Sequence, residues 1–407
     1  MRINATRLQQ KLADLATIGQ IPGGGVCRLA FTAEDLAGRT FVAEQMALLG
    51  LDVQIDAVGN LLGIRKGQQD GPLILTGSHT DTVKTGGRFD GSLGVLAGLE
   101  VIASLNDAGL QTALPIGVIS FVNEEGARFM PDMMGSLYQV DALSLDTIRL
   151  IEGIDGTTIG ENLDSLQYAG TADFRDLEIG HFVELHIEQG PWLEREGVTI
   201  GAVERVQGIR WLEYKFTGVA NHAGATPMSM RHDAGYAVAA LAHAVREIAT
   251  DMGSGQRATT GAIQLFPNLI NVIAATGEVT VDLRNPDPAQ LAIAARKVEA
   301  AAGQIAEAEG LSYTVRSLAE VAPVTFNAET VEAVETAAAA LGYSCRRMIS
   351  GAAHDAQILA RRYPAAMIFV PSRDGVSHNV REYTRPEDVE AGADVLLHTV
   401  LQLAGGR

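Results

Sequence analysis

The sequence predicts an α/β protein: a mixed, mostly parallel sheet covered by helices, interrupted by a ferredoxin-like βαββαβ unit. Three observations predict it. Short apolar strands alternate with helical segments toward both ends of the chain, a βαββαβ order occupies the middle, and 407 residues exceed the usual size of one domain. Residues 1–208 and 326–407 are therefore expected to form one domain, with residues 209–325 inserted into it as a second.

Each element has a local reason. In "INATRLQQKLADLATIG", Leu8, Leu12 and Leu15 recur at helical spacing behind Asn4, a capping residue. "LDVQIDAVGNLLGIR" and "PLILTGSH" read as strands, "SLGVLAGLEVIASLNDAG" as a helix and "ALPIGVISFVNEE" as a strand. Residues 141–180 are acidic and punctuated by glycine, which predicts a surface excursion with short helical pieces. The strand "HFVELHIEQG" follows. The middle unit runs strand "RWLEYKFTG", helix "RHDAGYAVAALAHAVREIAT", strands "TTGAIQLFP" and "GEVTVDLRN", helix "DPAQLAIAARKVEAAAGQIAEAEG", strand "LSYTVRSLA". The alternation then resumes with helices "NAETVEAVETAAAALG" and "GAAHDAQILARRY", strand "AAMIFVPS" and a closing helix in "RPEDVEAGADVLLHTVLQLA".

Composition excludes several partners. With 31 Lys and Arg against 49 Asp and Glu, the net charge of -18 repels nucleic acid and anionic membrane surfaces. Two cysteines, Cys27 and Cys345, are too few for a disulfide framework and fit a reducing compartment. The N-terminal stretch carries no apolar h-region, and no apolar run is long enough to cross a bilayer, so a soluble cytoplasmic protein is expected.

The chemistry gathers at strand ends, where an open α/β sheet has its ligand crevice. His79 closes "LILTGSH", Asp81 follows close enough for its carboxylate to orient the His79 ring through the other nitrogen, and Asp90 comes after "TGGRF". "PIGVISFV" ends in Asn123, Glu124 and Glu125; one carboxylate can bind metal while the other handles protons. In "HFVELHIEQG", Val183, Leu185 and Ile187 share one face while Glu184, His186 and Glu188 share the other, so His186 points away from the apolar side. "FVPSRDGVSHN" ends on His378. Singly, such residues are ordinary hydrogen-bonded loop groups or solvated faces. Four strand ends with ligand-type residues point to one site. Three imidazoles, an aspartate and a glutamate suit two borderline divalent ions such as zinc, manganese, cobalt or nickel, a pair that supports hydrolysis.

The segments "GSHTDTVKTGGRFDGSLGVLAG", "NEEGARF", "HIEQGPWLE", "NHAGATPM", "NVIAATGEVTVDLR", "GAAHDA" and "VPSRDGVSHN" span nearly the whole chain. In this order they resemble the amidase, hydantoinase/carbamoylase branch of the M20 metallopeptidase superfamily. That branch contains N-carbamoyl-L-amino acid hydrolases, β-ureidopropionases and allantoate amidohydrolases.

The resemblance implies that His79 and His186 hold one metal, Glu125 and His378 the other, and that Asp90 bridges them. It makes Glu124 the general base, with Asp81 supporting the catalytic site. The insertion becomes a lid and dimerisation domain whose His222 reaches the partner's active site and stabilises an oxyanion. Arg284 and Asn271 become readers of a substrate carboxylate, Gln189 a carbamoyl or amide contact, and Arg210 and Gly351 secondary candidates for substrate contact. His354 and Asp355 read either as an ordering pair or as a helix cap.

Two departures from the pattern, the missing proline after "NVI" and Asn285 where histidine is frequent, fall near the expected carboxylate clamp. They bear on substrate identity rather than metal chemistry. Met130, Met133 and Met134 read as flexible core filling before pocket lining. The implied activity is hydrolysis of the linear C–N bond of N-carbamoyl-L-amino acids or related ureido acids by a homodimer, releasing amino acid, ammonia and carbon dioxide. Alternatives are an allantoate amidohydrolase, an N-acyl amino acid deacylase or peptidase, and a catalytically silent ligand-binding relative. Against the last stands the presence of every metal donor and of Glu124.

Overall fold

The alternating apolar runs become strands β1 (Asp52–Ile55), β2 (Leu61–Arg65), β3 (Leu73–His79), β4 (Ile116–Phe121), β5 (Ile179–Ile187) and β6 (Ile200–Val206). The middle of the chain forms β7 (Gly208–Thr217), β8 (Arg257–Phe266), β9 (Thr276–Asn285) and β10 (Ser312–Val321). The returning segment adds β11 (Val324–Thr325), β12 (Cys345–Ser350) and β13 (Ala365–Val370). This computed structural model describes residues 1–253 and 255–405. It divides into two compact units, Met1–Glu204 with Thr325–Arg407, and Arg205–Val324. The smaller unit begins four residues before the expected 209 and ends one residue before the expected 325.

In the larger unit the sheet order is β1-β2-β4-β3-β5-β13-β6-β11, with β12 on β6. Strands β4, β3, β5 and β13 are neighbours and mutually parallel, while β2 on β4 and β6 on β13 run antiparallel. Interior parallel strands are covered on both faces, which is why β3, β4 and β13 are largely apolar and are buried along their whole length. Helix Ser92–Asp107, buried from Ser92 to Leu105, packs on β3, and helix Pro386–Leu403 packs on β13. Gly77 has φ of 145°, and a Cβ there would overlap the backbone of Ile119 on the neighbouring strand. Because the four interior strands are parallel, their carboxyl ends emerge along one edge.

In the smaller unit the order β10-β7-β9-β8 is antiparallel throughout. Helices Ala234–Met252 and Pro288–Glu309 cover one face, burying Tyr214, Phe216, Val279, Val281 and Leu283 against Leu241, Ala294 and Val298. That order is the ferredoxin-like arrangement. Asp233 and Asp287 cap the two helices, as Asn4 caps Ala5–Ala16 and Asn327 caps Ala328–Leu341.

Two expectations require correction. Residues 141–180 are more than a surface excursion: Ile148, Ile159, Leu163 and Tyr168 pack with Phe31, Val58, Val122 and Phe129 in a buried cluster. Widely spaced apolar residues between acidic ones were enough to anchor the segment. The helix in "GAAHDAQILARRY" is confined to Asp355–Leu359, and strands β6 and β12 were not anticipated. Met133 and Met134 are buried, Met130 is 57% exposed, and both cysteines are free and half-buried. Among the described residues no helix is long and apolar enough to cross a membrane.

Candidate metal centre

The four interior strands deliver the polar groups to one place. His79 is the last residue of β3, and His186 is the penultimate residue of β5, paired in register with Phe369 of β13. Glu124 and Glu125 follow β4 in a turn that needs a left-handed Asn123, φ 52°. His378, also left-handed at φ 52°, lies in the loop after β13. Asp90 stands just before helix Ser92–Asp107.

Asp90 sits between two sets of donors. Its Oδ1 lies 3.1 Å from His186 Nε2 and 3.7 Å from His79 Nε2, and its Oδ2 lies 3.5 Å from His378 Nε2. His378 Nε2 is in turn 3.3 Å from Glu125 Oε2. Two groups with metal-ligand spacing therefore share Asp90: His79, Asp90 and His186, all buried, and Asp90, Glu125 and His378. Glu124 belongs to neither group, although its Oε2 is 3.4 Å from His79 Nε2. Imidazole with carboxylate is the donor set that borderline divalent ions take, so the residues fit such ions.

A third group, Glu184, His186 and His354, has similar spacing, but its atoms are engaged within the protein. Glu184 accepts the Ser78 hydroxyl at 2.7 Å and the Ala356 N–H at 2.9 Å, and His186 Nδ1 donates to the Ile187 carbonyl at 2.9 Å. The polar face of β5 is thus a buried, hydrogen-bonded layer rather than a wet one. Within it the His354 ring meets His186 edge-on, centroids 4.6 Å apart, and its Nε2 lies 3.0 Å from Ser350 Oγ. His354 makes no cap hydrogen bond, and among the described residues no hydrogen bond joins it to Asp355. Glu188 leaves the polar layer altogether, accepting the N–H groups of Trp192 and Leu193 at 2.9 and 2.8 Å.

The titration behaviour follows burial against neighbouring charge. Burial raises a carboxyl, yet three imidazoles around Asp90 hold it well below the usual range. Burial lowers His186, but the Asp90 carboxylate outweighs it and holds the imidazole up at about 9. The charge that favours a proton there favours a cation equally well. His79 is pushed down to about 4, chiefly by burial. Glu124 and Glu125 are raised well above the usual carboxylate range by burial and by neighbouring acids.

Asp81 works differently from the expectation. The His79 Nδ1–H donates to the main-chain carbonyl of Asp81 at 3.0 Å, with the carboxylate farther off at 3.7 Å. That carboxylate accepts the N–H groups of Glu124 and Glu125, both at 3.2 Å. One residue thus orients the histidine through its backbone and the glutamate turn through its side chain.

Gln189 donates from Nε2 to Asp90 Oδ2 at 2.9 Å, and its buried Oε1 has no hydrogen-bond partner among the described residues. Gly351 lies in the loop that carries His354. In the smaller unit, exposed His222 receives the N–H groups of Gly224 and Ala225 on Nδ1, and its strand bridge to Val272 brings it beside Asn271. Arg284 points its fork at Asp282, with N–O distances of 3.0 and 3.1 Å. Arg210 pairs with Glu320 at 3.1 Å. Register places Arg284 opposite Ile209 and Arg210 opposite Leu283, so the two arginines occupy opposite faces of the sheet and form no single clamp. Asn285 is fully buried, bonding Gln256 and the Asp287 N–H, which gives it a structural task.

Sequence reasoning missed Glu382, a buried acid four residues beyond His378 whose carboxylate bonds the loop of Asp90. The only hint was an acid in an otherwise basic "NVREYTR" stretch.

Comparison with known proteins places the chain in a family. Residues 75–402 match the model of peptidase family M20/M25/M40. The chain is 40% identical to an N-carbamoyl-L-amino acid amidohydrolase of Geobacillus stearothermophilus, over 99% of this chain and 100% of that one. It is 33% identical to a ureidoglycolate hydrolase of Arabidopsis thaliana, over 99% of this chain and 87% of the relative. A crystal structure of an amidase of the hydantoinase/carbamoylase family from Burkholderia multivorans superposes with a TM-score of 0.95 at 43% identity, covering 99% and 98% of the two chains. The chain belongs to peptidase family M20/M25/M40, within its hydantoinase/carbamoylase amidases.

Proposed function

We propose that the protein is a cytoplasmic, homodimeric amidohydrolase that uses two divalent ions to hydrolyse the linear C–N bond of N-carbamoyl-L-amino acids or related ureido acids. The products are the amino acid, ammonia and carbon dioxide. One observation carries the reading: Asp90 directs separate oxygens at the histidine pair His79 and His186 and at His378, whose other neighbour is Glu125. His79 and His186 would hold one ion, Glu125 and His378 the other, with Asp90 common to both. Zinc, manganese, cobalt and nickel all suit these donors. When bound, the ions supply Lewis acidity that polarises a carbonyl and makes water nucleophilic.

The rest falls to the protein. Glu124, outside both donor groups, takes a proton from the attacking water as the carboxylate and passes it to the leaving nitrogen. Gln189 Oε1 accepts a ureido N–H. Arg284 and Asn271 read the substrate carboxylate and His222, reaching in from a partner subunit, stabilises the oxyanion, while Gly351 and Arg210 play lesser parts. In support of the dimer, β8 is an edge strand that exposes Ile263 and Phe266, and the following loop exposes Leu269 and Ile270.

The likeness to a ureidoglycolate hydrolase favours a second reading, turnover of an allantoate-type ureide. Ammonia release should be measured on N-carbamoyl-α-amino acids, N-carbamoyl-β-alanine and allantoate, with manganese, cobalt, nickel or zinc supplied. Fastest release from N-carbamoyl-L-amino acids supports the proposal, and from allantoate the second reading. Cleavage of N-acyl amino acids or peptides alone, or no turnover at all, overturns both.

A further inference from the structure

One buried carboxylate ties together the two loops that deliver Asp90 and His378. Glu382 Oε1 accepts the N–H groups of Phe89 and Asp90 at 3.0 and 3.2 Å, and its Oε2 lies 3.0 Å from Ser377 Oγ. Ser377 Oγ is also 2.9 Å from Asp90 Oδ2. A hydroxyl has a single proton, so Ser377 serves one of these carboxylates at a time and couples them. Gly87 lies flat against the Glu382 side chain, where a Cβ would overlap the carboxylate. Among the described residues no hydrogen bond links Glu382 to His79 or His186, which are held instead by their own strands.

We propose that Glu382 is a positioning residue for the Asp90–Glu125–His378 half of the centre, acting by fixing the Asp90 backbone against the loop of Ser377 and His378. The inference rests on the two-ion reading above. Asp90 and His378 both stand on loops, whereas His79 and His186 stand on interior strands. Asp90 serves both groups but His378 serves one, so loss of the brace falls more heavily on the Asp90–Glu125–His378 half. Supporting groups of this kind are worth about 10–100-fold in metal affinity.

The test is Mn2+ binding to the full-length apoprotein, followed by calorimetry and by the electron spin resonance of free Mn2+. Wild type should bind two ions per chain. Glu382→Ala should bind one ion near the wild-type affinity and the other about 10–100-fold more weakly. Glu382→Gln, whose carbonyl oxygen can still accept both N–H groups, should recover most of that loss. Wild-type isotherms for Glu382→Ala, or equal weakening of both ions with no recovery in Glu382→Gln, overturn the proposal. If circular dichroism shows Glu382→Ala unfolded, Ser377→Ala decides: it cuts the link without uncovering either N–H, and must weaken the same single ion. An unchanged isotherm there sinks the inference. Wild type binding fewer than two ions would refute the two-ion reading itself, before any variant is compared.

Discussion

Glu124 and Glu125 are neighbours in the chain yet face different histidines: Glu124 Oε2 is 3.4 Å from His79 Nε2, and Glu125 Oε2 is 3.3 Å from His378 Nε2. The Asp81 carboxylate fixes this split by accepting both of their N–H groups. Glu124→Gln is expected to keep full metal content while turnover falls by about 10²–10⁴. Glu125→Gln is expected to lose an ion. Metal analysis beside initial rates checks both, and near-normal turnover in Glu124→Gln would refute its role as base.

Gly91, at φ 61°, places its backbone nitrogen 3.2 Å from His186 Nε2, and a Cβ there would overlap the His79 ring. Gly91→Ala should cost about 1–2 kcal/mol in backbone strain. More tellingly, it should displace His79 and weaken the ion at His79 and His186 more than the other. A two-step metal titration with unchanged affinities would show that the ring tolerates the methyl.

Arg284 rests on Asp282, two residues before it on the same face of β9. If this guanidinium reads the substrate carboxylate, Arg284→Lys loses the fork and should raise KM by roughly 10–100-fold with a smaller effect on kcat. An unchanged KM for carboxylate-bearing substrates removes Arg284 from recognition.

Asp35 accepts the Phe31 N–H at 2.8 Å and the Tyr168 hydroxyl at 3.1 Å, and burial pushes it up to about 7 despite the nearby Arg39. Unfolded, the same carboxyl titrates near 3.8. Between those values the folded chain holds the extra proton. This group's contribution is therefore fully present below about pH 4 and is lost as pH rises through about 7, a change of at most about 4 kcal/mol. Asp35→Asn, which cannot ionise, should lose less stability than wild type between about pH 4 and about pH 7. Urea unfolding of the metal-free proteins measures it, and identical slopes for the two chains contradict the assignment.

Much of the fold was readable because its causes are local. Asn4, Asp233, Asp287 and Asn327 cap helices by reaching backbone groups two or three residues away, and β9 alternates buried and half-buried residues as its sequence does. The ligand-type residues were legible as candidates because parallel strands must end along one edge. Their division of labour was not. Whether Asp81 meets His79 by carboxylate or by carbonyl depends on a turn 43 residues away, and Glu382 reaches a backbone 292 residues away. The tether of residues 141–180 likewise depends on distant Phe31 and Phe129.

The sequence by itself determined most of the order of strands and helices, β6 and β12 apart, the insertion of a βαββαβ unit and the types of donor available, since periodicity, caps and side-chain chemistry act over a few residues. Only the tertiary structure decided that Asp90 divides its two oxygens between separate histidine groups, that Arg210 and Arg284 face opposite ways, and that Glu382 braces the centre. Those outcomes depend on register and on loops meeting across the sheet, where hydrogen-bond geometry within a few tenths of an ångström selects each partner.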